Sequence, residues 1–271
     1  MENKLKIEME INFKNPAHLG DHIYHLHYCD LLKEKYPDIS INYYVNPEYI
    51  PILNWHWVNI KAFDTAPANA VHAWINLDDA HGHFHNGQLA HGQGGHFDIF
   101  HLLHFKKLSD QIGLECPVTD IKDVLPADKR FLKENSMSHS PGGGKWDVLF
   151  INSPALSEQW AQTGRFNEMI KIMHSKGLSV ITTAKTNLLG VACVTDKNLH
   201  IYDIGNVAIN SKYVIGVHTG PFVAALNKYA YETVEKFVLF QQSNLTYSYN
   251  KCHSLQTANG AVQYISELIK K

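Results

Sequence analysis

The sequence predicts an α/β protein of two parallel-sheet lobes, and three observations carry that expectation. Strand, helix and strand patterns alternate at both ends of the chain; a glycine-rich stretch from Ser136 to Lys145 interrupts the alternation; and the candidate binding turns fall where strands end and helices begin. In open parallel sheets, ligands bind beyond the carboxyl ends of the strands, where helix N-termini present free N–H groups. The lobes are placed at residues 1–140 and 141–271, with a cleft between them.

Taken in order, LKIEMEINF (5–13) alternates apolar and polar side chains as a half-buried strand does. A turn follows through Asn15-Pro16-Ala17-His18, and from Asp21 the spacing is helical to Lys35, where Tyr36-Pro37-Asp38 breaks it. ISINYYV (39–45) reads as the second strand and Pro47 to Leu53 as a short helix. The stretch 54–75 is assigned one or two further strands, residues 78–96 a long loop, and residues 97–113 a helix stopped by Gly113. Three glycines after Ser140-Pro141 read as the linker about which the lobes close. Beyond it, WDVLFINS (146–153) is a strand, Arg165 to Lys176 a helix and LSVITTA (178–184) a strand. LHIYDI (199–204) is taken as a strand, Val207 to Ser211 as a short helix and KYVIGVHT (212–219) as a strand. A helix from Gly220 to Tyr229, the strand FVLFQQ (237–242) and a helix from Thr257 to Lys270 complete the chain.

Apolar residues make up 45% and charged residues 18% of the 271 positions, which is globular and enough for one large or two ordinary domains. The formal net charge of -2 gives no global basic field for nucleic acid. No apolar run spans a bilayer, and MENKLKIEMEINFKN lacks the uninterrupted apolar stretch of a signal peptide, so a cytoplasmic protein is expected, with peripheral membrane association left open. Cys29, Cys116, Cys193 and Cys252 are scattered without a CxxC pair, which argues for idle thiols over a zinc ribbon or disulfide framework.

Gly216-Val217-His218-Thr219-Gly220-Pro221 ends a strand and opens a helix. Gly220 permits close backbone approach, Pro221 suits the first helical turn and Thr219 supplies a hydroxyl, which together favour a phosphate; an ordinary βα turn is the plainer alternative. The surrounding run DIGNVAINSKYVIGVHTGPFVAAL (203–226), the segment from Trp160 through Arg165-Phe166, and the entry His18-Leu19-Gly20-Asp21 followed by Tyr36-Pro37-Asp38 resemble the lipopolysaccharide heptosyltransferase family of GT-B glycosyltransferases. The resemblance covers both ends of the chain but not residues 54–140, and His218 stands where that family carries an acidic residue.

The resemblance implies two Rossmann-like lobes in a GT-B-like arrangement, the first for acceptor and base and the second for a nucleotide-sugar donor. It implies inverting transfer from a nucleotide-diphosphate sugar to a hydroxyl of a glycan or small acceptor, with Asp21 as the base; capping the first helix is the plainer role of that carboxylate. The donor side is assigned Ser153, Arg165, Lys185, Asp203, His218, Thr219, Gly220 and Pro221, and the acceptor side Gly20, His22, His25, Trp74 and Asp78. No cofactor or metal is expected to be required: GT-B enzymes as a class do without a bound metal, and the chain has no Asp-x-Asp motif.

The 18 histidines offer a rival account. His81, His83 and His85 alternate, so on an extended chain they share a face that could bind zinc or copper with His91 and His96. They could equally line a sugar pocket beside Trp55, Trp57 and Trp74, or belong to a solvated loop. Two other functions therefore stay in view: a nucleotide-sugar 2-epimerase on the same plan, and a metal- or sugar-binding protein with a decayed transferase site.

Overall fold

The computed structural model describes residues 9–53, 56–73, 96–153, 163–241 and 246–268. Trp55, Trp74, Asp78, His81, His83, His85, His91 and Trp160 lie outside the described residues. The chain forms two compact units, the first comprising Met1–Asn76 and Asp98–Val124, the second Leu77–Phe97 and Leu125–Lys271.

Unit 1 is built on a four-stranded parallel sheet of β1 (Met9–Asn15), β2 (Ile39–Val45), β3 (Asn59–Ala62) and β4 (Val71–His72), in the order β3-β2-β1-β4. β1 and β2 are in register from Met9 against Ile39 to Asn15 against Val45. Helix α1 (Leu19–Lys35) makes the crossover between them, and a 3-10 turn at Pro47–Tyr49 leads into the single turn α2 (Ile50–Leu53). α1 buries every residue from His22 to Cys29, so it shows no narrow apolar stripe. It packs on α3 (Phe97–Ile112), where Tyr28 stacks on Phe105 and its hydroxyl lies 2.6 Å from Ser109 Oγ.

Unit 2 carries a six-stranded parallel sheet of β5 (Trp146–Ile151), β6 (Val180–Thr182), β7 (Ala192–Cys193), β8 (Ser211–Val217), β9 (Lys236–Phe240) and β10 (Cys252–Leu255), in the order β10-β9-β8-β5-β6-β7. One side of its core is an apolar cluster of Val148, Phe150, Ile215, Val217, Val238 and Phe240 from the strands, with Phe166, Met169, Ile170 and Met173 of α4 (Phe166–Ser175) and Ala261 and Ile265 of α8 (Ala258–Leu268). Among the described residues the other α-helices of this unit are α5 (Ile201–Ile209), α6 (Gly220–Ala225) and α7 (Lys228–Thr233). Gly216 is required at the centre of the sheet: at φ 153° it lies so close to Ile151 that a Cβ would collide with that residue's carbonyl.

Four expectations need correction. LHIYDI is not a strand but the start of α5, because Ile201, Ile204, Val207 and Ala208 fall on a helical spacing and Asp203 Oδ2 accepts the His200 N–H at 2.8 Å. The helix expected from Gly220 to Tyr229 is two helices. Asn227, fully buried, donates to the Ala224 carbonyl at 2.8 Å and accepts from the Ala230 N–H at 2.9 Å, ending α6 and starting α7. The glycine stretch is no hinge between the units: Ser140 N–H donates to Gly144 O and Gly143 N–H to Ser140 O, closing a turn within unit 2. Residues 125–140 also belong with unit 2, where Phe131 lies against Tyr202 and Asn206 Nδ2 donates to the Phe131 carbonyl at 2.9 Å. β7 and β10, two and four residues long, were not read from the sequence.

The four cysteines are free thiols. Among the described residues no helix is long and apolar enough to cross a membrane.

Candidate functional site

Among the described residues, each unit has one place where the chain reverses its direction of strand addition. In unit 1 the chain steps from β1 to β2 and β3 on one side and returns on the other with β4. In unit 2 it steps from β5 to β6 and β7, then crosses to β8 and continues to β9 and β10. The carboxyl ends of the two strands flanking such a switch leave a crevice, because their connections depart in opposite directions.

In unit 2 those flanking strands run directly into Asn152-Ser153 and into His218-Thr219. The first pair is tied down. Asn152 pairs with the backbone of Ala184, accepting from its N–H at 2.7 Å and donating to its carbonyl at 2.9 Å. Thr183 Oγ1 accepts the backbone N–H groups of Asn152 and Ser153, at 3.1 and 3.2 Å, and the Ser153 hydroxyl at 2.8 Å. Side chains thus continue the β5–β6 ladder past its last residue. Neither Asn152 nor Thr183 was singled out from the sequence, although two polar side chains closing neighbouring strands were a readable signal.

On the β8 side, Thr219 is the N-cap of α6 and its hydroxyl does not close the cap; it lies 3.4 Å from the Val217 carbonyl. Pro221 sits in the first turn, where a missing N–H costs nothing. His218 is buried against Phe97, with ring centroids 4.0 Å apart, and its Nε2 lies 2.8 Å from Tyr247 Oη. Burial holds its pKa at about 3, so the ring is neutral at physiological pH.

The other donor-side candidates are already engaged. Lys185 pairs with Asp196 at 3.2 Å on the surface. Arg165 pairs with Glu168 and donates to Asn259 Oδ1 at 3.0 Å, bridging the starts of α4 and α8. Asp203 caps its own helix α5.

In unit 1 the switch lies between β1 and β4, and α1 begins just beyond the end of β1. Gly20 and Asp21 fall in the first turn of α1; the N-cap is His18, whose N–H donates to Asp21 Oδ2 at 3.1 Å. Burial, only partly offset by that hydrogen bond, pushes the Asp21 carboxyl up to about 6. Beneath it runs a buried polar chain. The Ala17 N–H orients the Asn15 amide by donating to Oδ1; Asn15 Nδ2 then donates to Tyr43 Oη at 2.7 Å and meets His25 Nδ1 at 2.6 Å. His25 Nε2 meets His104 Nε2 at 2.8 Å, His104 Nε2 reaches the Ala73 carbonyl, and Tyr43 Oη also meets His22 Nδ1 at 3.2 Å. His22 is held at about 3 and His104 at about 4, mainly by burial, and His25 well below its ordinary value for the same reason. His22 and His25 are therefore neutral, buried partners of the sheet's end and not exposed sugar contacts in this structure.

No family model matches the chain, and no curated protein matches it by sequence. Solved structures do. The E. coli heptosyltransferase WaaC with ADP-2-deoxy-2-fluoro heptose aligns over 96% of this chain and 100% of its own, with a TM-score of 0.58 at 11% identity. WaaC with ADP aligns over 97% and 98%, with a TM-score of 0.55 at 14% identity. The glycosyl transferase family 9 protein from Veillonella parvula aligns over 100% of this chain and 92% of its own, with a TM-score of 0.55 at 14% identity. The chain resembles the heptosyltransferases in fold.

Proposed function

We propose that the protein is an inverting glycosyltransferase of GT-B-like arrangement that moves a sugar from a nucleotide-diphosphate donor to a hydroxyl of a glycan or small acceptor. One observation carries the reading: the Gly20-Asp21 and His218-Thr219-Gly220 turns, picked out by motif, fall at the switch points of two separate parallel sheets. The fold likeness to WaaC structures that hold ADP and an ADP-sugar analogue supports an ADP-sugar as the donor class.

In this reading Asp21 takes the proton of the acceptor hydroxyl as its oxygen attacks the anomeric carbon. The bond from that carbon to the diphosphate oxygen breaks on the opposite face, and the nucleoside diphosphate leaves. A carboxyl raised to about 6 is still ionised at neutral pH and a stronger base than an ordinary carboxylate, which suits the step. Thr219 and Gly220 would meet the leaving diphosphate with a hydroxyl and backbone N–H groups, with Ser153 following the end of the adjacent strand β5. Lys185 would need to exchange Asp196 for phosphate.

Thermal unfolding with ADP-, UDP- and GDP-sugars is the first test, since a ligand of the native state at 100 times its Kd adds about 2.7 kcal/mol. A rise with one nucleotide class is expected; no rise with any sinks the reading. Asp21→Asn should then keep donor affinity while transfer falls by about 10²–10⁴. Unchanged turnover in that variant would remove Asp21 as the base.

A further inference from the structure

His218 carries a buried polar atom that the fold leaves unused. Its ring is about nine-tenths buried, stacked on Phe97 and approached edgewise by Phe222 and Tyr247. Nε2 is engaged by Tyr247 Oη, but Nδ1 is buried and has no hydrogen-bond partner among the described residues. A buried nitrogen left so is costly to the fold, and a ligand group that reached it would remove that cost.

The hydrogen bond to Tyr247 decides which nitrogen bears the hydrogen. A neutral imidazole is a donor at one nitrogen and an acceptor at the other. Between a phenol and a neutral imidazole, the phenol is the stronger acid and the ring nitrogen the stronger base, so the hydroxyl donates and Nε2 accepts. The ring hydrogen is then on Nδ1. The ring cannot simply take a second proton instead, because burial keeps it neutral.

We infer that Tyr247 is a positioning residue that holds His218 in its Nδ1–H tautomer, so that His218 offers an uncharged hydrogen-bond donor to a diphosphate oxygen of the nucleotide at the carboxyl end of β8. This rests on the proposed nucleotide-sugar reading and adds how the anion is met there. The donor is a neutral dipole, oriented by aromatic packing and by Tyr247, a residue far along the chain from the Thr219-Gly220 turn. Its strength should be nearly constant from pH 8 down to about 5, in contrast to an exposed histidine that charges below its usual value near 6.5.

Long-range proton–nitrogen spectra of the full chain labelled with nitrogen-15 histidine test this directly, His218 being assigned by the peaks lost in His218→Leu. The expected result is the Nδ1–H pattern in the wild type, a shift toward Nε2–H in Tyr247→Phe, and movement of the His218 Nδ1 resonance on adding ADP. His218→Asn, whose amide can place a donor near the same point, should keep ADP affinity within about threefold, while His218→Leu should lose about tenfold, the worth of one hydrogen bond. An Nε2–H pattern in the wild type overturns the inference. So does ADP binding that leaves the His218 resonance unmoved and is matched by His218→Leu. If neither ADP, UDP nor GDP binds the wild type, the nucleotide reading itself fails and the inference with it.

Discussion

Unit 1 and unit 2 follow the same plan, a parallel sheet with a switch point and a motif turn beyond it, but they support that turn with opposite materials. Under the end of β1 lie Asn15, Tyr43, His22, His25 and His104, hydrogen-bonded to one another and almost wholly buried. Under the end of β8 lie Val217, Ile215, Phe150 and Phe240, and His218, next along the chain, packs against Phe97, Phe222 and Tyr247. An apolar core is indifferent to pH and costs nothing to leave unpaired. A buried polar chain specifies one arrangement but is stable only while each member stays neutral and bonded. The two halves should therefore fail for different reasons.

The largest effect should come from unit 2. Phe150→Ala removes a fully buried ring from near the carboxyl end of β5 and should cost about 3–5 kcal/mol, equally at pH 5 and pH 7, in denaturant unfolding. Gly216→Ala should cost about 1–3 kcal/mol or more, because β5 and β8 must part to admit the methyl group; a neutral result would show that the close approach to Ile151 is not needed.

The next effect belongs to unit 1 and depends on pH. His22, His25 and His104 have folded-state pKa values depressed below 6.5, so the unfolded chain binds protons that the folded one refuses. Their stabilising contribution is present above about 6.5 and is lost as pH falls toward 4, by up to about 1.4 kcal/mol per pH unit for each group. Asp21 works the other way: its raised pKa favours the folded state in acid, and that contribution is lost as pH rises through about 6. One carboxyl against three histidines leaves the net slope downward in acid. Hydrogen exchange at pH 7 and pH 5 should show α1 and β1 losing protection before β5 and β8. Simultaneous loss in both units would dissolve the contrast.

Smaller changes sharpen it further. Thr183→Val removes the hydroxyl that holds Asn152 and Ser153 and should cost about 1–2 kcal/mol while loosening the β5–β6 edge. Lys185→Ala breaks only an exposed pair with Asp196 and should change stability by less than about 0.5 kcal/mol. A weakened donor affinity in that variant, without loss of stability, would show that the ammonium leaves Asp196 for phosphate.

The contrast also explains which elements could be read in advance. β2, β5, α4 and α8 carry clean patterns, apolar runs in buried strands and single apolar stripes in helices packed on one side. α5 was misread because LHIYDI can be scanned at a period of two as well as at helical spacing, and only its packing against α6 and residues 129–132 selects the helix. α1 gave a faint signal because His22, His25 and His27, residues that usually mark a surface, are buried together with its apolar side chains. The break at Asn227 hung on one side chain bonding two helix ends at once.

The parallel-sheet α/β class, most of the strands and helices, and the turns at Gly20-Asp21 and His218-Thr219-Gly220 were present in the amino-acid order, because periodicity and glycine, proline and capping residues act over a few neighbours. Tertiary structure alone decided that His218 is neutral, that Tyr247 and Phe97 hold it, that Asn152 and Thr183 extend the sheet edge, and that His22 and His25 are buried in a hydrogen-bonded chain. Desolvation and hydrogen-bond pairing depend on residues tens of positions away, and no local pattern records which of them will meet.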